Sequence, residues 1–328
     1  MPALFAANLR LDRILERISR NDLHALVLAA GLALITGISG WLLWSWTGVF
    51  TALASVALIF YGAPRLPPAA IMRLYRAKPI DPEHGGQIIH VVNVLSERAG
   101  LARAPTVYVI ASLTANAFAA GTPQKAVIAV TEGLLRRLSL RELTGVLGHE
   151  LSHIVNNDLP VMGLADVMTR FSQALSYLAV FLAVFHLPGL LLGDSDVSLS
   201  ALLLLYLAPT LGSLLQLSLG RAREFDADLF GASLTGDPAG LASALQRTER
   251  LQGTLWEDMM LPVPGRRIPV PSVLRTHPPT EARIRRLREL EHAHLPPPIE
   301  VPEEPMVSLA GLGPGTMRPR LRFPGVWF

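Results

Sequence analysis

His149, Glu150 and His153 stand in the run His-Glu-Leu-Ser-His. On a helix, residues i and i+4 share one face, so the two imidazoles can bind a single Zn²⁺. The adjacent glutamate then reaches a water activated by that metal. Zinc brings the pKa of such a water down to about 7. Glu150 can take its proton and pass it to a leaving amine. The chemistry is metal-assisted hydrolysis. The competing source of the pattern is a pair of exposed helix histidines beside an ordinary glutamate.

A catalytic zinc has three protein ligands and one open position. The chain contains no cysteine, which excludes disulfides, thiolate zinc sites and thiol catalysis. Leu159 stands six residues after His153, where a metzincin would carry its third histidine. The remaining candidates are acidic. In Arg223-Glu224-Phe225-Asp226-Ala227-Asp228, Glu224 and Asp228 are again i and i+4. Glu224 can bind the metal, and Asp228 can hold the far nitrogen of a ligand histidine. A solvated acidic helix face would show the same spacing.

These residues need elements to position them. From Ser139 the sequence is helical, with Arg141-Glu142-Leu143 leading into Val146 and Leu147. Gln87–Ala99 has helical periodicity, with Gly100 suited to its C-cap. Thr106–Ala111, Asn116–Gly121 and Ala126–Thr131 are short and rich in β-branched and small apolar residues, so they predict strands. Residues 220–295 are charged and helical. From Leu295 the chain turns Pro- and Gly-rich and is expected to be mobile.

Composition explains the rest of the 328 residues. Half are hydrophobic, 17% are charged and the mean hydropathy is +0.38, against about 25% charged in a soluble domain. The pI near 9.6 does not indicate nucleic acid, because the basic residues flank apolar runs and form no stripe. Leu23–Pro64 is a run of 42 residues without Asp, Glu, Lys or Arg. A helix crosses the hydrocarbon core with about 20 residues, so two spans are expected, at about 24–44 and 47–63. The turn is expected around Trp44–Gly48, where Trp41, Trp44 and Trp46 suit a membrane interface. Uncharged runs at Phe171–Gly193 and Val197–Gly220 predict two more spans, at about 170–192 and 197–219; buried core helices are the alternative.

The expected organisation is a basic amphipathic segment (1–22), a transmembrane hairpin (23–64) and a first peptidase part (65–160). Two spans follow (161–219), then a second peptidase part (220–294) and the Pro/Gly-rich tail (295–328). Arg10, Arg13, Arg17 and Arg20 precede the first run, Arg65, Arg73, Arg76 and Lys78 follow the second, and Arg221 and Arg223 follow the fourth. The positive-inside rule puts both termini and the peptidase parts in the cytoplasm.

Several motifs occur in one order: Asn116-Ala117-Phe118-Ala119, Val130-Thr131-x-Gly133-Leu134-Leu135, His149-Glu150-x-x-His153-x-x-Asn156-x-Asp158, Arg223-Glu224-x-x-x-Asp228 and Thr276-His277-Pro278-Pro279. Together they resemble the HtpX family of bacterial membrane zinc metalloproteases, which is related to the CAAX prenyl proteases. The resemblance covers roughly residues 20–290. It implies a mostly α, multi-pass protein of four transmembrane helices with a cytosolic α+β zincin-like metalloprotease domain carrying a small β-sheet. It implies one catalytic Zn²⁺ held by His149, His153 and Glu224, Glu150 as general base, and Asp228 and Asn156 supporting the ligands. His277 would lie near the site as an oxyanion stabiliser, or serve only as a helix-entry residue. Asn116, Ala117 and Phe118, or Val127 and Ala129, would lie on strands that pair with an extended substrate; as single residues they fit a core strand equally well.

The implied partners are membrane lipids and protein or peptide substrates, in a quality-control role at the bacterial cytoplasmic membrane. A prenyl-protein processing peptidase would need more spans. A transporter would carry ionisable groups inside its spans, and His24 and His186 lie near span ends. An inactive scaffold would not need the complete set of His149, Glu150, His153 and Glu224.

Overall fold

The computed structural model describes residues 2–62, 65, 67–192, 198–259, 280–290 and 295–301, with side chains described from Leu23 onward. His277, the Gly193–Asp196 link and the tail beyond residue 301 lie outside the described residues. The chain forms two compact units, residues 1–66 with 160–220, and residues 67–159 with 221–328.

The first unit is helical. Helix α1 runs Pro2–Gly62 but is broken inside, at Trp44 and Ser45, where Ser45 has φ 53°. The chain folds back there. A Cβ on Gly40 would overlap the carbonyl of Gly48, and the reverse also holds. Only glycine at both positions allows that approach. Leu28 and Leu32 from one limb then pack with Val56 from the other. By length and composition, the described residues contain three helical stretches able to cross a membrane: Leu23–Gly62, Leu159–Phe185 and Leu199–Gln216. Leu23–Gly62 counts there as one stretch of 40 residues, and the break at Trp44 and Ser45 divides it where the turn between the first two runs is expected. The third stretch also begins earlier than expected. Helix α6 is Leu159–Phe185, and Leu187–Leu192 is a separate short helix, α7. Pro188 lacks an N–H and its ring would clash with the carbonyl four residues back, so α6 does not continue through it and α7 starts anew beside it. Leu34, Trp41, Phe50, Leu58, Phe181 and Leu203 remain exposed, as a surface in contact with lipid requires. Polar groups inside the unit are paired between helices: Gln216 Nε2 donates to Thr169 Oγ1 at 2.6 Å and to Ala165 O at 2.9 Å.

The second unit is α+β. A short helix α2 (Pro68–Leu74) leads to β1 (Lys78–Pro79) and α3 (Pro82–Ala99), which Gly100 terminates at φ 71°. Strands β2 (Thr106–Ile110), β3 (Ala117–Ala120) and β4 (Val127–Thr131) complete a sheet in the order β1-β2-β4-β3. β4 is parallel to β2 and antiparallel to β3. It is buried on both faces, which is why its sequence is apolar throughout. Ile128 and Val130 join the main core with α3 and α5, while Val127 and Ala129 join a smaller cluster with Met72 of α2. Helices α4 (Glu132–Leu135), α5 (Leu140–Val155), the last turns of α8 (Leu199–Thr235), α9 (Pro238–Met259) and α10 (Thr280–Glu289) follow.

Candidate metal centre

Helix α5 is built to be a fixed platform. Ser139 caps it: its Oγ accepts from Glu142 N, and the Glu142 carboxylate accepts from Ser139 N at 2.9 Å, forming a capping box. Glu142 also accepts from Ser243 and Arg247 of α9. Leu140, Leu143, Leu147, Leu151 and Ile154 are buried along one stripe. Two glycines bring neighbouring backbones close. A Cβ on Gly145 would lie 2.8 Å from Leu241 Cα of α9, and one on Gly231 of α8 would lie 2.8 Å from His149 N. Gly231, Asp228 and Glu224 recur at spacings of three and four, so they share one face of α8. The Gly148–Gly231 crossing therefore sets Glu224 and Asp228 against the histidines.

One ligand atom from each of His149, His153 and Glu224 lies within 4.8 Å of the others. The two Nε2 atoms are 3.3 Å apart. One Glu224 oxygen lies 3.7 Å from His149 Nε2 and the other 3.9 Å from His153 Nε2. Ligands about 2.0–2.1 Å from a tetrahedral zinc stand roughly 3.3–3.4 Å from each other. The histidine pair has that spacing, and the carboxylate is a few tenths of an ångström wide of it. All three are buried, with His149 9%, Glu224 6% and His153 1% exposed.

The far nitrogens are held by carboxylates. His149 Nδ1 lies 3.0 Å from Asp228 Oδ1, and His153 Nδ1 lies 3.2 Å from Asp158 Oδ2. Both pairings leave Nε2 directed at the metal position, the arrangement that orients zinc-binding histidines. Asp158 reaches back because of how α5 ends. Asn157 adopts the left-handed conformation at φ 56°, Asn157 N donates to Ile154 O, and Asp158 N donates to His153 O at 3.0 Å. This is a Schellman ending with asparagine in the usual glycine place. Asn156 is the buried C-cap residue just before it.

Arg283 of α10 closes the cluster. It donates twice to Asp228, at 2.6 Å from both Nε and Nη2, and its Nη1 lies 3.3 Å from Glu224 Oε2. Arg223 stands 3.9 Å from Asp158. Glu150, Asp158, Glu224 and Asp228 carry four negative charges and Arg223 and Arg283 two positive ones. With neutral histidines the balance is minus two, which a divalent cation cancels. The donor set and this balance both fit such an ion.

The electrostatics follow the same geometry. Burial pulls the His153 pKa down, but the Asp158 hydrogen bond and the charges of Glu224, Glu150 and Asp158 outweigh it and raise it above the ordinary 6.5. Burial pushes Asp228 up, but Arg283 and His149 hold it below 3.8. Glu150 is half-buried, and its charge also acts on Arg283.

Asn116, Ala117 and Phe118 lie at and on β3, which forms an outer edge of the sheet and packs against α5. Asn116 N donates to Thr131 Oγ1 at 2.9 Å, and the Thr131 hydroxyl donates to Thr114 O at 2.6 Å. Phe118 packs on Tyr75, 5.1 Å between ring centroids. Val127 and Ala129 differ from the expectation. They lie on β4, which β2 and β3 pair on both sides, so its backbone has no edge to offer a peptide.

The sequence assigns no role at the metal to Asp158, Arg283, Arg223, Gly148 or Gly231. Asp158 sits inside the quoted motif, five residues after His153, and that spacing was the available signal. Arg283 carries none, since Arg285, Arg286 and Arg288 surround it.

Residues 82–291 match the model of Peptidase family M48. "Protease HtpX homolog" of Thermococcus kodakarensis is 39% identical over 229 residues, which cover 67% of this chain and 79% of that protein. "Protease HtpX" of Legionella pneumophila is 31% identical over 284 residues, covering 82% and 99%. Among solved structures, Ste24p of S. mikatae is similar at 18% identity and a TM-score of 0.46, covering 83% of this chain and 67% of that one.

Proposed function

The chain belongs to peptidase family M48 as an HtpX-like membrane metalloprotease, and from that premise we propose that it is a zinc-dependent endopeptidase of membrane proteins. The observation that carries this reading is the convergence of His149, His153 and Glu224 on one point, with Glu150 one residue from a ligand. His149 and His153 would bind through Nε2 and Glu224 through its carboxylate. Zinc in such a donor set polarises a carbonyl oxygen and lowers the pKa of water toward about 7.

The protein's own groups do the rest. Asp228 and Asp158 keep the two imidazoles turned so that Nε2 faces inward. Arg283 holds Asp228 and offsets its charge. Glu150 takes a proton from the attacking water and delivers it to the nitrogen of the departing amine. The outer edge of β3 offers its backbone to an extended substrate, which gives binding with little demand on side-chain identity. Such tolerance suits removal of misfolded or damaged proteins.

The HtpX resemblance supports the bacterial cytoplasmic membrane as location, and the arginines flanking the apolar runs support a cytosolic site. The break at Trp44 and Ser45, with Gly40 against Gly48, supports reading Leu23–Gly62 as two spans and the whole as four. In sequence, the ligand helix precedes the third run and Glu224 follows the fourth.

The test uses full-length protein in detergent with a quenched-fluorescent unfolded substrate such as casein. Cleavage inside the chain, stopped by chelation and returned by zinc, is the expected result. Release of terminal residues alone, or cleavage indifferent to chelation, would contradict the endopeptidase reading.

A further inference from the structure

We propose that the surface between the C-terminal end of α3 and the α8–α9 turn is a binding site for an extended, proline-rich peptide, and that the chain's own residues 296–301 occupy it. This segment begins past the family-matched residues and belongs to the tail expected to be mobile. The structure instead has it packed.

Arg98, at the end of α3, carries the recognition. Its Nη1 donates to Leu234 O at 2.9 Å and its Nη2 donates to Pro297 O at 3.0 Å. One planar fork thus joins two chain segments. Leu234 lies in the last turn of α8, where carbonyls have no partner within the helix. The guanidinium caps α8 and holds the strap with the same group.

The strap's sequence matches this use. Pro296, Pro297 and Pro298 have no backbone N–H and favour the extended polyproline conformation, whose carbonyls are not engaged internally. The next residue with a donor is Ile299, and its N–H goes to Thr235 O at 3.2 Å. Ile299 and Val301, two residues apart, pack on the main core, while Glu300 between them is exposed. Glu300 and Val301 also line a cavity with Gln87, His90 and Leu140 of the same unit.

Gly236 completes the site. It has φ 71°, and a Cβ there would overlap Pro296 O and stand 2.9 Å from Pro297 O. A side chain at this turn would lift the strap away. Proline stiffness lowers the ordering cost of such a segment, which explains how few contacts suffice.

The experiment is hydrogen exchange on the full-length protein in detergent, reading the Ile299 amide. In the wild type it is protected. Arg98→Gln should speed its exchange about tenfold or more, as losing a charge-assisted hydrogen bond implies, while amides of α5 stay unchanged. Exchange at the unstructured rate in the wild type, or equal protection in Arg98→Gln, would overturn the proposal. A second variant keeps the test open if Arg98→Gln does not fold. Ile299→Asp displaces the strap in the full chain, and a fluorescein-labelled Leu-Pro-Pro-Pro-Ile-Glu-Val peptide should then bind one to one. The wild type, with its site filled, should bind it at least about tenfold more weakly. No binding to Ile299→Asp would overturn the assignment of a peptide site.

Discussion

Replacing Asp228 with asparagine separates two jobs that the carboxylate performs at once. Asp228 is 1% exposed. It accepts two 2.6 Å hydrogen bonds from Arg283 and stands 3.0 Å from His149 Nδ1. Asp228→Asn keeps the shape and removes the charge. Arg283 is then left buried with Glu224, at 3.3 Å, and the charge of Glu150 to balance it. Breaking one partner of a buried pair costs about 3–5 kcal/mol. Losing the carboxylate behind a ligand histidine weakens metal binding about 10–100-fold. The double variant Asp228→Asn/Arg283→Met separates the effects. Removing both partners should return most of the stability, whereas His149 still lacks its carboxylate and metal affinity stays low. Unfolding in detergent under chelation reads the first quantity, and competition with a fluorescent zinc indicator reads the second. Zinc affinity within about twofold of wild type in Asp228→Asn would refute the argument that this carboxylate orients His149.

Gly231→Leu should separate α8 from α5, because a Cβ at that position already lies 2.8 Å from His149 N. An overpacking cost of about 1–3 kcal/mol and a loss of zinc affinity are expected by thermal unfolding and zinc titration, with Gly86→Ala, which meets nothing within 4 Å, as the neutral control. Asp237 gives a pH prediction away from the metal. Burial pushes its pKa up, but the Arg141 fork and the Gly240 N–H at the start of α9 hold it below 3.8. Its contribution is therefore present above the unfolded pKa and is lost as pH falls through the lower folded value. Arg141 is half exposed, so Asp237→Asn should cost no more than about 1 kcal/mol. Denaturant unfolding should show that gap near pH 6 and show it closing below pH 3.8.

What the sequence makes legible is the local part. The spacings of His149 to His153 and of Glu224 to Asp228 are single helical turns, so each pair reads directly. The strands at Thr106, Ala117 and Val127 read from their β-branched and small apolar residues. The non-local parts do not. Nothing in a run containing Arg283, Arg285, Arg286 and Arg288 says which guanidinium is buried; the packing of α10 through Leu287 decides it. Gly148 and Gly231 look like weak points in two helices until their crossing makes them the only residues that fit. The strap at 296–301 reads as loose because its prolines carry no helical or strand pattern, and its order comes from Arg98, some two hundred residues away. The first apolar run, read as two helices, does break at Trp44 and Ser45, near its tryptophans, into two helical limbs.

In the proposed reaction, His149, His153 and Glu224 hold one zinc for hydrolysis with Glu150 as the base. The most direct measurement is zinc content and casein cleavage, side by side, for full-length wild type, Glu150→Gln and His153→Ala. One equivalent of zinc with cleavage in the wild type, one equivalent without cleavage in Glu150→Gln, and neither in His153→Ala is the predicted result. Cleavage that survives in Glu150→Gln, or zinc that stays bound in His153→Ala, would contradict it.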